Sequence, residues 1–276
     1  MDYIYQKGLS RTSLIKEKSD ELTQEKKEIF NAGLRSATYQ QIDDTGMRVA
    51  GKNGYATIVC NEHYAAYFIN DRKNRETIKG ILGLEEVLLF LVLLCDDAPQ
   101  FKTIARVLAL CWIHEERLYK KLKPVFENHR KELERIRGEI WDYYKKLKEY
   151  KKNPTEEEAE RLSLSFDKLF SQCTGYEDLD KRLSLTLTKK DALLVVLKYP
   201  EIPLHNNLSE NGVREIVIKR KISGGVETDE GKTALENYMT IMATCKKQGS
   251  SFYKYILDIF SGLKHSMPLS QLILQK

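Results

Sequence analysis

The chain has 276 residues, 42% hydrophobic and 31% charged, with a formal net charge of +5 at pH 7. That length suits one large domain or two modest ones with a sizeable core, and no apolar run approaches the roughly 20 residues of a membrane-spanning helix. The N-terminus lacks the apolar centre of a secretory signal. Five scattered cysteines (Cys60, Cys95, Cys111, Cys173 and Cys245) without a C-x-x-C pair argue against a disulfide framework or a zinc site, and so for reduced thiols in a cytoplasmic protein.

Residues 10 to 34 read as one long polar helix with a single apolar stripe, and Gly33 stands where it would stop. From Ala37 the pattern turns to β. TYQQIDDTGMRV, YATIVC and YAAYFIN are three short runs rich in Tyr, Val, Ile and Thr, separated by turn signals, as in an antiparallel meander. Asp43 and Asp44 fall inside the first strand, an unfavoured place for two carboxylates unless one face is exposed or used. Arg72 to Leu82 reads as a helix.

The stretch EVLLFLVLLCDDAPQF, Glu86 to Phe101, organises the remainder. Its apolar run from Val87 to Cys95 suits a strand buried on both faces, although a helix of the same length fits the pattern too. Asp96 and Asp97 follow at once, and Pro99 ends the element. As a strand, it delivers a carboxylate to the edge where open α/β sheets place their ligands. A helix is then expected from about Pro99, its apolar side marked by Ile104, Val107, Leu108, Cys111 and Trp112.

Residues 113 to 172 are helical by pattern, broken at Pro124 and at Asn153-Pro154, with Thr155 as an N-cap. Without β signal, this block reads as a helical insertion. Lys and Arg outnumber acids from Arg117 to Lys152, which fits either solvated helix faces with i,i+4 pairs or a nucleic-acid surface. After a short helix at 188–197, a further helix starts near Asn206 or Asn207. With Asn207 as N-cap, Glu210 would be a capping-box acid, a structural role set beside any functional one. That helix ends in Lys219, Arg220 and Lys221, cations suited to a C-terminus or to phosphates. Gly224-Gly225 is a turn, and two amphipathic helices follow, 233–247 and 251–263.

Three elements thus each carry an acid: Asp43 from a first strand, Asp96 from the end of a central strand, Glu210 from the start of a late helix. Meander, helix, strand, helical insertion, helix is the order in which a ribonuclease H-like fold gathers three acids at one edge. The expectation is an α/β chain with a mixed sheet and an all-helical insertion before the last catalytic helix. Its parts would be a leader (1–36), a first catalytic segment (37–110), the insertion (111–185) and a second catalytic segment (186–276). Breaking a phosphodiester needs an activated water and a stabilised leaving oxygen, which two divalent cations roughly 3.5–4 Å apart supply. Mg²⁺ takes oxygen ligands, so carboxylates rather than His or Cys suit it.

These residues carry a resemblance. I-D-D-T-G-M-R-V (Ile42 to Val49), C-D-D-A-P-Q-F (Cys95 to Phe101), C-W-I-H-E-E-R (Cys111 to Arg117) and L-H-N-N-L-S-E-N-G-V-R with V-I-K-R-K (Leu204 to Lys221) resemble, in order, the segments of DDE insertion-sequence transposases of the type numbered sixty-six. The resemblance implies that Asp43, Asp96 and Glu210 are the catalytic triad holding two Mg²⁺ or Mn²⁺ ions, with Asp44 and Asp97 the rivals at their pairs. It implies that Arg214 contacts phosphate, and that Trp112, His114 and Arg117 lie beside the site with Lys219, Arg220 and Lys221 on DNA. The partners implied are transposon-end and target DNA, with a homo-oligomer forming on DNA in the cytoplasm at the nucleoid and no membrane. Asn211 departs from the family, where an Arg usually follows the Glu. No counterpart of the family's N-terminal zinc-binding and helix-turn-helix region is seen, which raises the alternative of a truncated, inactive remnant that only binds DNA or a partner. A structure-selective nuclease on the same fold is a third reading.

Overall fold

The computed structural model describes residues 18–83, 92–263 and 265–276. The described residues form two compact units, which are taken separately below.

The first unit comprises the described residues up to Gly83 together with Asn207–Lys276. Helix α1 (Ser19–Arg35) precedes a meander of β1 (Tyr39–Val49), β2 (Lys52–Cys60) and β3 (Ala65–Asn70), and α2 (Arg75–Leu82) follows with Asn74 as its N-cap. The pairing is antiparallel in the order β1-β2-β3, with Asp43 opposite Ile58 and Ile58 opposite Tyr67. The meander expectation holds. The leader helix is described only from Ser19, and the earlier part of that expectation lies outside the described residues. Gly33 does not end it. The helix continues to Arg35, and a Cβ at Gly33 would stand 2.4 Å from the Tyr64 ring, so the glycine serves close packing rather than termination.

The later helices of this unit are α8 (Asn207–Ser223), α9 (Asp229–Lys247), α10 (Phe252–Ser261) and α11 (Leu269–Leu274). One sheet face carries Met47, Val49, Ile58 and Tyr67, which join Ile216 of α8 and Met239 of α9 in the core. Helix α9 also caps β3. Thr244, Thr240 and Glu236, spaced one turn apart, accept the backbone N–H groups of Ala65, Tyr67 and Ile69 at 3.4, 3.0 and 2.6 Å. A strand edge that would otherwise invite pairing with another chain is thereby satisfied by helix side chains.

The second unit spans Val92–Asn206. It holds β4 (Val92–Cys95), β5 (Val107–Leu110), α3 (Trp112–Lys120), α4 (Glu127–Tyr150), α5 (Glu156–Phe170), α6 (Glu177–Leu187) and a short α7 (Lys190–Leu193). The Val92–Cys95 part of the expected apolar strand is observed; residues 87–91 lie outside the described residues. Strands β4 and β5 pair in parallel, from Val92 with Val107 to Cys95 with Leu110.

The helix expected from Pro99 is corrected here. Pro99–Phe101 is a single 3-10 turn, Val107–Leu110 is strand, and helix begins only at Trp112. An apolar run this short fits either period, and parallel pairing with β4 decides it. The breaks at Pro124 and Asn153-Pro154 are observed, as is the Thr155 cap, whose hydroxyl accepts the Glu158 N–H at 3.2 Å. The mixed α/β class is borne out.

Gly33→Ala is expected to cost about 1–3 kcal/mol, because a methyl group must displace a fully buried aromatic ring; urea unfolding followed by circular dichroism measures it.

Candidate active site

Asp43 and Asp44 are neighbours on β1, so they point to opposite faces. Asp44 is engaged on one of them, with Oδ1 3.3 Å from Lys73 Nζ. Asp43 shares the other face with Gln41 and Met47, and with Ile58 directly across on β2. That is the α8 face. A Cβ at Gly212 of α8 would lie 3.1 Å from the Ile58 side chain.

Gln41 ties the same face to the start of α8. Its Oε1 accepts the backbone N–H of Leu208 at 3.1 Å and of Ser209 at 3.4 Å. These amides belong to the first turn, where a helix has no internal acceptors. The capping-box expectation for Glu210 is therefore corrected. The helix starts at Asn207, so Glu210 lies one position past the box, and a glutamine from the sheet accepts two of the first-turn amides. Gln41 was not singled out from the sequence. Its place two residues before Asp43, hence on the same face, was the available signal.

In the second unit, Asp96 and Asp97 follow the last residue of β4. Asp96 Oδ1 accepts the Ala98 N–H at 3.1 Å, closing an Asx-type turn. Asp97 is taken up differently: Oδ1 lies 3.1 Å from Lys102 Nζ and Oδ2 2.8 Å from Lys189 Nζ. Burial raises the Asp97 pKa, but the hydrogen bonds and charges of Lys189 and Lys102 outweigh it and hold the group below the ordinary aspartate value. Lys189 reaches on to Glu115 Oε2 at 2.9 Å, and Glu115 Oε1 accepts from Arg182 and Thr186 at 2.7 and 2.6 Å. Sequence reasoning missed this network, since its members are far apart in the chain. Among the described residues of either unit, no three His, Cys, Asp or Glu side chains stand together as a group able to hold a metal ion.

The expected DNA-contacting residues divide. Trp112 is 2% exposed, packed against Tyr143, Phe166 and Phe170, and its indole N–H donates to the Leu193 carbonyl at 2.9 Å. It is a core residue with no face left for a base or phosphate, which corrects that expectation. His114 Nε2 lies 3.2 Å from the guanidinium of the exposed Arg117. Arg214 is exposed and donates to Asn211 Oδ1 at 3.0 Å. Lys219 and Lys221 are exposed, whereas Arg220 donates to the Gly46 carbonyl of β1.

A model of the transposase IS66 family matches residues 12–234. The chain belongs to that family. The match takes in β1, β4 and α8, and with them Asp43, Asp96 and Glu210. A curated relative, the uncharacterized protein y4jO of Sinorhizobium fredii, is 44% identical over 167 residues, which are 60% of this chain and 51% of the relative. This IS66-family chain thus spans about half the length of the curated relative it matches. Among the described residues, no helix is long and apolar enough to cross a membrane. A transposase-related role follows from the family.

Gln41→Met keeps the volume but removes the acceptor. It should destabilise the chain by about 1–2 kcal/mol, with faster hydrogen exchange at Leu208 and Ser209. A second expectation concerns pH. The lowered Asp97 pKa stabilises the fold at neutral pH, and that contribution is lost as pH falls through the folded value. Asp97→Asn should therefore lose less stability than the parent between pH 7 and about pH 3, as measured by urea unfolding at the two pH values.

Proposed function

We propose that this chain is a DDE polynucleotidyl transferase, cutting and joining DNA at transposon ends with Asp43, Asp96 and Glu210 as the metal-holding carboxylates. The observation that carries the reading is the sorting of the carboxylate pairs. Asp44 is committed to Lys73 and Asp97 to two lysines. Asp43 shares the sheet face on which Gln41 holds the first turn of α8, the turn that carries Glu210. Asp96 sits at the carboxyl end of a parallel strand, where α/β sheets bind ligands.

The three acids offer only oxygen donors, a set that fits Mg²⁺ or Mn²⁺ rather than zinc. When bound, two such ions would supply an activated water and a stabilised leaving oxygen for in-line displacement at phosphorus. The chain's own residues hold and orient. Gln41 fixes the helix that brings Glu210, the Asx turn fixes the Asp96 carboxylate, and Arg214, one turn beyond Glu210, offers a cation to a DNA phosphate. Water would free a 3′-hydroxyl at the element end, and that hydroxyl would attack target DNA. DNA would be engaged by an oligomer, with Lys219 and Lys221 adding sequence-independent charge.

Asp43→Asn, Asp96→Asn and Glu210→Gln should each lower Mn²⁺-dependent nicking of supercoiled plasmid by roughly two orders of magnitude or more, since losing a ligand exceeds the 10–100-fold cost of losing the groups behind one. Salt-dependent DNA binding should survive all three. If the parent chain leaves DNA intact under Mn²⁺ yet binds it as the variants do, it is a binding protein without turnover.

A further inference from the structure

The segment from Asp96 to Arg106 contains no regular structure beyond the 3-10 turn at Pro99–Phe101. The Phe101 and Lys102 amides close that turn and Phe101 and Ile104 are buried, and side-chain ties add to these. Asp97 supplies two of them. Lys102 closes the segment on itself, at 3.1 Å. Lys189 comes from outside it, just before α7, and bridges Asp97 at 2.8 Å and Glu115 of α3 at 2.9 Å with a side chain only 16% exposed. Glu115 is itself fixed by Arg182 and Thr186 of α6, and the Thr186 hydroxyl is within 2.5 Å of the Tyr119 hydroxyl. An anchored cation thus grips the residue next to Asp96.

We propose that Lys189 is a positioning residue for the Asp96 carboxylate, with the helices of the second unit acting through the Lys189–Asp97 ion pair as the scaffold that aims it. This role presupposes the reading of Asp96 as a metal-holding acid. The physical case is one of distance along the chain. Asp96 and Asp97 are adjacent in the chain, so the lysine grip on Asp97 restrains the backbone from which the Asp96 side chain leaves. Ligands held by groups behind them lose roughly 10–100-fold in metal affinity when those groups are removed. The arrangement also assigns opposite roles to the two aspartates. Asp96 closes the Asx turn at the strand end, while Asp97 is neutralised by Lys102 and Lys189.

The test is Mn²⁺ binding to the full chain, followed by the electron paramagnetic resonance signal of free Mn²⁺, beside plasmid nicking as a function of Mn²⁺ concentration. Lys189→Met should raise the Mn²⁺ concentration for half-maximal binding and nicking by about 10–100-fold, with nicking approaching the parent rate at saturating Mn²⁺ and Lys189→Arg recovering part of the affinity. Asp97→Asn should shift both curves in the same direction while sparing the Lys189–Glu115 pair, and it carries the test if Lys189→Met does not fold. Unchanged Mn²⁺ affinity in both variants, with binding lost in Asp96→Asn, overturns the positioning role alone. Tighter Mn²⁺ binding in Lys189→Met also overturns it, because freeing Asp97 would then have freed a ligand. Mn²⁺ binding that survives in Asp96→Asn removes the reading of the site itself.

Discussion

Two amide hydrogens at the start of α8 have no acceptor within their own helix, and one glutamine oxygen on β1 takes both. Much of the first unit depends on that contact. It sets where along the sheet the helix begins, and with it the height at which Glu210 leaves the backbone. Gly212 then lets the helix settle onto Ile58 and the Tyr67 hydroxyl, at 3.1 and 3.3 Å from where a Cβ would stand. Gln41 and Gly212 act together, one fixing the register of the helix and the other its approach. Neither is a charged or nucleophilic residue, yet both govern where the charged one can go.

The two carboxylate pairs are sorted by different physics. On β1 the pleat does it. Alternate residues face opposite ways, so Asp44 meets Lys73 on one side and Asp43 lies on the α8 face. After β4 the chain is no longer pleated, and the sorting falls to partners. Asp96 turns back on the Ala98 amide, whereas Asp97 is drawn to Lys102 and Lys189.

Local pattern made much of this legible. The meander, the carboxylates within its first strand, the breaks of the helical block and the Thr155 cap all follow from alternation and turn chemistry over a few residues. What failed was longer in range. Val107–Leu110 looks helical in isolation and is strand only because β4 offers a parallel partner. Trp112 looked like a site residue from its motif, but Tyr143, Phe166 and Phe170, distant in sequence, close around it. Gly33 carried a helix-stop signal, yet the Tyr64 ring beneath it explains it better. The pairing of Gln41 with Leu208 and Ser209, like that of Lys189 with Asp97, joins segments tens of residues apart or more, which no periodicity can reveal. Of the proposed site, the acids could be read and their supports could not.

The supports also explain a cost. Glu115 is 5% exposed, and Arg182 and Lys189 are partly buried at 14% and 16%. Taking such charges out of water is unfavourable, and apolar residues of similar volume often stabilise a fold as well or better. Stability alone is a poor account of this network. Lys189, however, makes two carboxylate contacts, one inward to Glu115 and one outward to Asp97, and only the inward one is needed to balance a buried charge. The outward contact lies beside Asp96, at a place where the backbone has just left the sheet and has no ladder to hold it. An ionic strut there adds to the packing of buried Phe101 and Ile104 in specifying one conformation of a short segment.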